Sequence, residues 1–110
     1  MKLLSYPTSP FARKVRIAAF EVGVLEQLEI VNANPLAADG VVALHNPLGK
    51  VPALILEDRT LVDSPLICAY LDTLHDGPKL HPAGDWTALQ LQALGDGMMD
   101  ATVLRRLESL

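Results

Sequence analysis

The sequence predicts an α/β fold, a βαβ unit followed by a ββα unit on one mixed four-stranded sheet, with the start of an all-helical segment behind it. Three observations predict it. An apolar strand pattern at 2–6, a helical pattern from Phe11 to a stop at Gly23 and a second strand pattern at 28–31 are spaced for a parallel crossover. Two further β-prone runs, 53–57 and 60–62, are separated only by Asp58-Arg59 and lead into a helix from Pro65, so a hairpin precedes the last helix of the domain. Strand patterns then cease: residues 77–84 collect Gly77, Pro78, Pro82 and Gly84, and 85–110 carry helical spacing alone. That order layers helices on a sheet.

Each element has its own justification. Leu3 and Leu4 are adjacent and apolar, which suits a central strand buried on both faces. Pro7-Thr8-Ser9-Pro10 breaks the chain before a helix in which Phe11, Val15, Ala18 or Ala19, and Val22 share one face. Residues 34–46, interrupted by Pro35 and Gly40, read as loop with a short helix. After Pro65 the residues Ile67, Tyr70, Leu71 and Leu74 share a face, and His75-Asp76-Gly77-Pro78 reads as the stop. Asp85 is placed to cap the last helix, along which Trp86, Leu89, Leu94, Met98, Ala101 and Leu104 recur. Gly95 and Gly97 inside it each cost about 1 kcal/mol relative to Ala, which suits close approach of another backbone. The expected organisation is a domain at 1–76, a linker at 77–84, and at 85–110 the first helix of a truncated all-α C-terminal domain.

The totals exclude several classes. Of 110 residues half are hydrophobic, ample for a core, and the net charge is −4 with no basic tract, so no nucleic acid is expected as partner. No apolar run reaches membrane-spanning length, so no membrane is expected either. The single cysteine, Cys68, excludes an internal disulfide and a Cys-based zinc site, and it reads as a small packed residue. His45, His75 and His81 have no ligand spacing, so no metal is expected. The cytoplasm is the default compartment.

The chemistry concentrates in Asn46-Pro47-Leu48-Gly49-Lys50-Val51-Pro52 and in Asp63-Ser64-Pro65. Pro52 opens an apolar β-prone run, so it belongs at the strand's first residue or on an edge, and it holds Val51 extended. Extended backbone of that kind pairs with a peptide. Asp63-Ser64-Pro65 reads as a helix start, and no Glu or Gln follows Ser64 at the third position to complete a capping box. The free N–H groups there suit a carboxylate. A clamp for peptide backbone beside a carboxylate cradle suggests a small acidic peptide as ligand.

Together these segments resemble the cytosolic glutathione transferases, in their bacterial, serine-type form. The βαβ–ββα order with a proline opening the third strand is a thioredoxin-like plan. Ser9-Pro10-Phe11-Ala12-Arg13-Lys14-Val15-Arg16 is similar to the family's first active-site turn, with Ser where omega-class members carry Cys. The segments from Asn46 to Pro52 and Asp63-Ser64 are similar to its glutathione-binding segments, and Tyr70-Leu71 and the linker into Trp86 fit as well. The resemblance covers essentially the whole chain.

It implies glutathione as cosubstrate, no cofactor, a hydrophobic electrophilic small molecule as second substrate, and a homodimer. It implies Ser9 as the hydroxyl that stabilises the glutathione thiolate, with Thr8 the rival hydroxyl and Tyr6 as core or pocket wall. It implies Val51 as backbone partner of the cysteinyl unit, Pro52 in cis, Ser64 for the γ-glutamyl carboxylate and Asp63, where the family more often has Glu or Gln, near the amino group. Lys50 is the candidate for the glycyl carboxylate, otherwise a solvated loop lysine.

Other readings stand beside these. Ser9 and the Asp63-Ser64 pair also read as plain helix caps, and Arg13, Lys14 and Arg16 read as a solvated helix face, with contact of one of them to an anionic substrate as the alternative. At the level of function the alternatives are a catalytically silent binding or regulatory module and a glutaredoxin-like thiol-disulfide oxidoreductase. The latter needs a cysteine where Ser9 stands.

Overall fold

A computed structural model describes residues 1–110, which divide into two compact units, Met1–Leu80 and His81–Leu110. In the first unit the elements are β1 (Lys2–Ser5), α1 (Pro10–Glu21), a 3₁₀ turn (Leu25–Gln27), β2 (Glu29–Asn32), α2 (Val41–His45), β3 (Ala53–Ile55), β4 (Thr60–Leu61) and α3 (Ser64–Leu71). The four strands form one mixed sheet in the order β2-β1-β3-β4, a thioredoxin-like topology. β1 runs parallel to β2 and antiparallel to β3, and β3 is antiparallel to β4.

The buried central strand is β1, as the adjacent leucines predict: Leu3 is 0% and Leu4 2% exposed. Successive strand residues point to opposite faces, so the two leucines seed two cores. Leu3 and Leu54 pack with Val15, Ala18 and Ala19 of α1 and Ile67, Cys68 and Leu71 of α3. Leu4 and Ala53 pack with Val42 of α2, Val51 and Ala12. The sheet is thus covered by α1 and α3 on one face and by α2 on the other. Cys68 is buried, as expected of a packed residue. Gly23, at φ 78°, follows α1 as its stop.

Some boundaries differ from the prediction. β2 begins one residue later, at Glu29, and both hairpin strands are shorter. The larger difference is the end of α3, which stops at Leu71 although Leu74 continues its apolar spacing. The reason is Asp72, 6% exposed, whose Oδ1 accepts from Leu80 N at 3.0 Å and lies 2.6 Å from His75 Nε2. Lys79 Nζ donates to the carbonyls of Asp72, at 2.6 Å, and His75, at 2.9 Å. These bonds fold the chain back on the helix end where the pattern alone continues it.

The second unit is α4 (Trp86–Glu108), capped as expected by Asp85, whose Oδ1 accepts from Ala88 N at 2.9 Å. A Cβ built on Gly95 or Gly97 meets nothing within 4 Å. No helix is long and apolar enough to cross a membrane.

Candidate functional site

The sheet register brings the sequence-predicted segments to one end of the sheet. Leu4 of β1 faces Ala53 of β3, and Leu54 of β3 faces Leu61 of β4. Because both pairings are antiparallel, the exit of β1, the entry to β3 and the exit of β4 lie side by side. The Pro7–Ser9 turn, Val51-Pro52 and Asp63-Ser64 are the segments that continue from those three points. Neighbouring strands are about 4.8 Å apart, so the three span roughly 10 Å, the scale of a tripeptide.

Ser9 is half-buried and is the N-cap of α1, its Oγ accepting from Ala12 N at 3.1 Å. The capping role and the thiolate role are compatible. A hydroxyl carries one donor and two acceptor positions, so accepting from Ala12 leaves the O–H to donate elsewhere. Thr8 lies exposed in the preceding turn.

Val51 is 8% exposed and directly precedes a proline joined to it by a cis bond. Pro52 stands just ahead of β3, an internal strand, so it occupies the strand-start position and not an edge. The loop that delivers Val51 is organised by Asn46, a residue to which sequence reasoning gave no role. Asn46 is 2% exposed. Its Nδ2 donates to the Lys50 carbonyl at 2.9 Å, and its Oδ1 accepts from Leu48 N at 3.0 Å. Its own carbonyl accepts from Gly49 N at 2.8 Å, and Gly49 has φ 65°, a left-handed conformation natural to glycine. The Asn-Pro-x-Gly order, with Asn able to bond backbone two residues on, was the available signal. Lys50 itself is exposed.

Asp63 is the exposed N-cap of α3 but makes no side-chain capping bond. First-turn N–H groups have no intrahelical partner, so this end has donors to offer an anion. Ser64 is the first helical residue, one position earlier than predicted, and is 1% exposed. Its Oγ accepts from Lys14 Nζ at 3.3 Å. This corrects the reading of Lys14 as part of a solvated face: α1 packs along α3, and the half-buried lysine reaches across that seam. Arg13 is exposed as expected, whereas Arg16 has its Nε buried without a hydrogen-bond partner. No three His, Cys, Asp or Glu side chains gather where they could hold a metal ion.

A capped helix start, a proline-led strand entry and an open second helix start thus gather at one end of a thioredoxin-like sheet. Residues 3–79 match the family model described as glutathione S-transferase, N-terminal domain. A GST-like protein of Escherichia coli, YibF, itself uncharacterized, is 41% identical over 105 residues, covering 92% of this chain and 51% of its own length. A stringent starvation protein A homolog of Haemophilus ducreyi is 34% identical over 82 residues, covering 74% of this chain and 37% of its own. Among solved structures, a glutathione transferase family member from Pseudomonas fluorescens Pf-5, with bound glutathione, superposes with TM-score 0.86 at 42% identity. That match covers 94% of this chain and 53% of the other. The chain belongs to the glutathione S-transferase family. It spans about half the length of the Escherichia coli relative.

Proposed function

We propose that this chain holds the glutathione-binding domain, a linker and the first helix of the C-terminal domain of a cytoplasmic, homodimeric glutathione transferase that directs the glutathione thiolate at a hydrophobic electrophilic small molecule or a peroxide. The observation that carries the reading is the convergence at one sheet end of the Ser9 hydroxyl, the Val51 backbone and the uncapped start of α3. The bound glutathione of the Pseudomonas fluorescens relative supports it.

In this reading the cysteinyl unit pairs with the Val51 backbone and the γ-glutamyl carboxylate meets Ser64 and the first turn of α3. Asp63 faces the amino group and Lys50 the glycyl carboxylate. The sulfur then comes to the start of α1. A free thiol has a pKa of about 8.5, and lowering it by about two units, roughly 2.7 kcal/mol, makes thiolate the major form at neutral pH. Ser9 donates its O–H to the sulfur while Ala12 N–H holds its oxygen, and the positive end of α1 adds to the field. A neutral hydroxyl is no strong base, so the role is to stabilise the anion. Thiolate attack on an electrophilic carbon forms the S–C bond and expels the leaving group.

The test is calorimetric titration with glutathione, together with the ultraviolet thiolate signal of the complex in wild-type, Ser9→Ala and Thr8→Ala proteins. Loss of that signal on Ser9→Ala alone supports the assignment. Equal signals in all three, or no binding, count against it.

The second reading, a silent or regulatory binding module, draws on the Haemophilus ducreyi relative, whose name is not that of a transferase. Glutathione binding without ionisation or turnover is its signature. Disulfide exchange fits poorly, since the sole cysteine, Cys68, is 2% exposed within α3 and not at the start of α1.

A further inference from the structure

We propose that the Arg16 guanidinium, with Arg13 beside it, binds a carboxylate on the second substrate, so that the electrophile is an apolar molecule carrying one negative charge. This rests on the glutathione-transferase reading above and narrows its substrate class. Ala12, Val15, Ala18 and Ala19 of α1 face the core. Arg13, Ile17 and Phe20 are exposed, and Arg16 is half-buried between the two faces.

A groove of about 660 Å³ lies along this outer side of α1, lined by Pro7, Arg13, Arg16, Ile17, Phe20 and Leu25, with Glu21 as its single carboxylate. Small-molecule sites usually occupy about 300–1,000 Å³. Ser9, Arg13, Arg16 and Phe20 follow one another at i, i+4, i+7 and i+11, so they stack along one side of the helix. A rise of 1.5 Å per residue puts Arg13 about 6 Å and Arg16 about 10 Å beyond Ser9 along the axis. Helical side chains lean toward the N-terminus, which shortens the way from either guanidinium to a sulfur held at Ser9. Pro7, two residues ahead of Ser9, closes the groove at that end.

The chemistry of Arg16 selects the ligand. Its Nε is buried and has no hydrogen-bond partner. An orphaned charged donor is costly, and a guanidinium carries no acceptor, so an incoming oxygen is what satisfies it. The planar fork of N–H groups matches a carboxylate through two parallel bonds. Ile17, Phe20 and Leu25 keep water from the pair and so strengthen it. Glu21 repels a second negative charge at the far end of the groove, which disfavours a polyanion and suits a single anionic group. Thiolate attack forms the S–C bond while the leaving group departs with its electron pair. The carboxylate takes no part in that exchange and keeps its charge, so Arg16 determines specificity and orients the reacting carbon toward Ser9.

The test is calorimetric titration of the purified protein with glutathione, S-benzylglutathione and S-(4-carboxybenzyl)glutathione. The two conjugates differ only in the carboxylate, and they bind without turnover. Wild-type protein should hold the carboxylated conjugate about tenfold more tightly than the neutral one. In Arg16→Met the two conjugates should bind alike, with affinities for glutathione and S-benzylglutathione unchanged within about twofold. A wild-type protein that does not distinguish the conjugates overturns the proposal. So does a preference that survives Arg16→Met, and so do equal losses for all three ligands, which mark a merely structural arginine.

The Arg16 Nε–H resonance of the unsubstituted protein gives a readout that needs no variant. It should shift on adding the carboxylated conjugate and stay in place with the neutral one. The same shift with both, or none with either, overturns the role of Arg16. Failure to bind glutathione or either conjugate overturns the transferase reading and this proposal together, whereas glutathione binding without discrimination between the conjugates overturns this proposal alone.

Discussion

Replacing Asn46 with alanine removes the two side-chain bonds that shape the loop ahead of Val51, from Nδ2 to the Lys50 carbonyl at 2.9 Å and from Leu48 N to Oδ1 at 3.0 Å. A net hydrogen bond contributes about 0.5–1.5 kcal/mol, and a stranded buried partner costs about 1–3 kcal/mol. Leu48 and Lys50 are exposed residues, so water recovers part of what their backbone groups lose. The lower range therefore applies, and the sum is about 2 kcal/mol. For a unit of this size that corresponds to a fall in Tm of roughly 10 °C. The bond from Gly49 N to the Asn46 carbonyl survives, so the loop loosens without losing its turn. Glutathione affinity should fall more than stability alone explains, because Val51 is delivered by this loop. Thermal unfolding followed by circular dichroism gives the first quantity and calorimetry at a temperature where both proteins are folded gives the second. A variant within about 0.5 kcal/mol of wild type, with unchanged glutathione affinity, would refute the reasoning, since ordinary surface substitutions fall in that range.

Gly49→Ala forces a Cβ into a left-handed conformation at φ 65° with no steric neighbour within 4 Å, so the cost is backbone strain alone, about 1–2 kcal/mol in denaturant unfolding. Asp72→Ala takes the acceptor from Leu80 N and the partner from the His75 ring at a buried position, and should lower stability by about 2–3 kcal/mol. Amide exchange of Leu80 in that variant should approach the rate of an unstructured chain, and retained protection would count against the role given to Asp72.

The fold was readable where composition and geometry give a single answer. Adjacent Leu3 and Leu4 suit a strand covered on both faces, and a proline before an apolar run belongs at a strand start or on an edge, the first of which is where Pro52 stands. Helix starts at Ser9 and Asp85 were legible because their side chains cap directly. The end of α3 was not, because apolar spacing continues through Leu74 while the stop comes from bonds between Asp72, His75, Lys79 and Leu80 that form only in the folded chain. Lys14 was misread for a related reason. Charge periodicity marks a solvated face, yet a long lysine stem can lie along a helix seam and deliver its ammonium to a residue 50 positions away. Asn46 carried a turn signal, but its burial depends on the loop closing around it.

The most direct test of the central claim is the ultraviolet thiolate difference spectrum recorded as glutathione is added to the wild-type and Ser9→Gly proteins across pH. Glycine retains most of the capping stability, within a few tenths of a kcal/mol, while removing the hydroxyl, so fold and chemistry separate. The wild-type complex should show bound thiolate well below the pH at which free glutathione ionises. In Ser9→Gly the transition should return toward the value of the free thiol, about 8.5. Bound glutathione that ionises like the free thiol in wild type, or identical transitions in the two proteins, would contradict Ser9 as the residue that holds the thiolate.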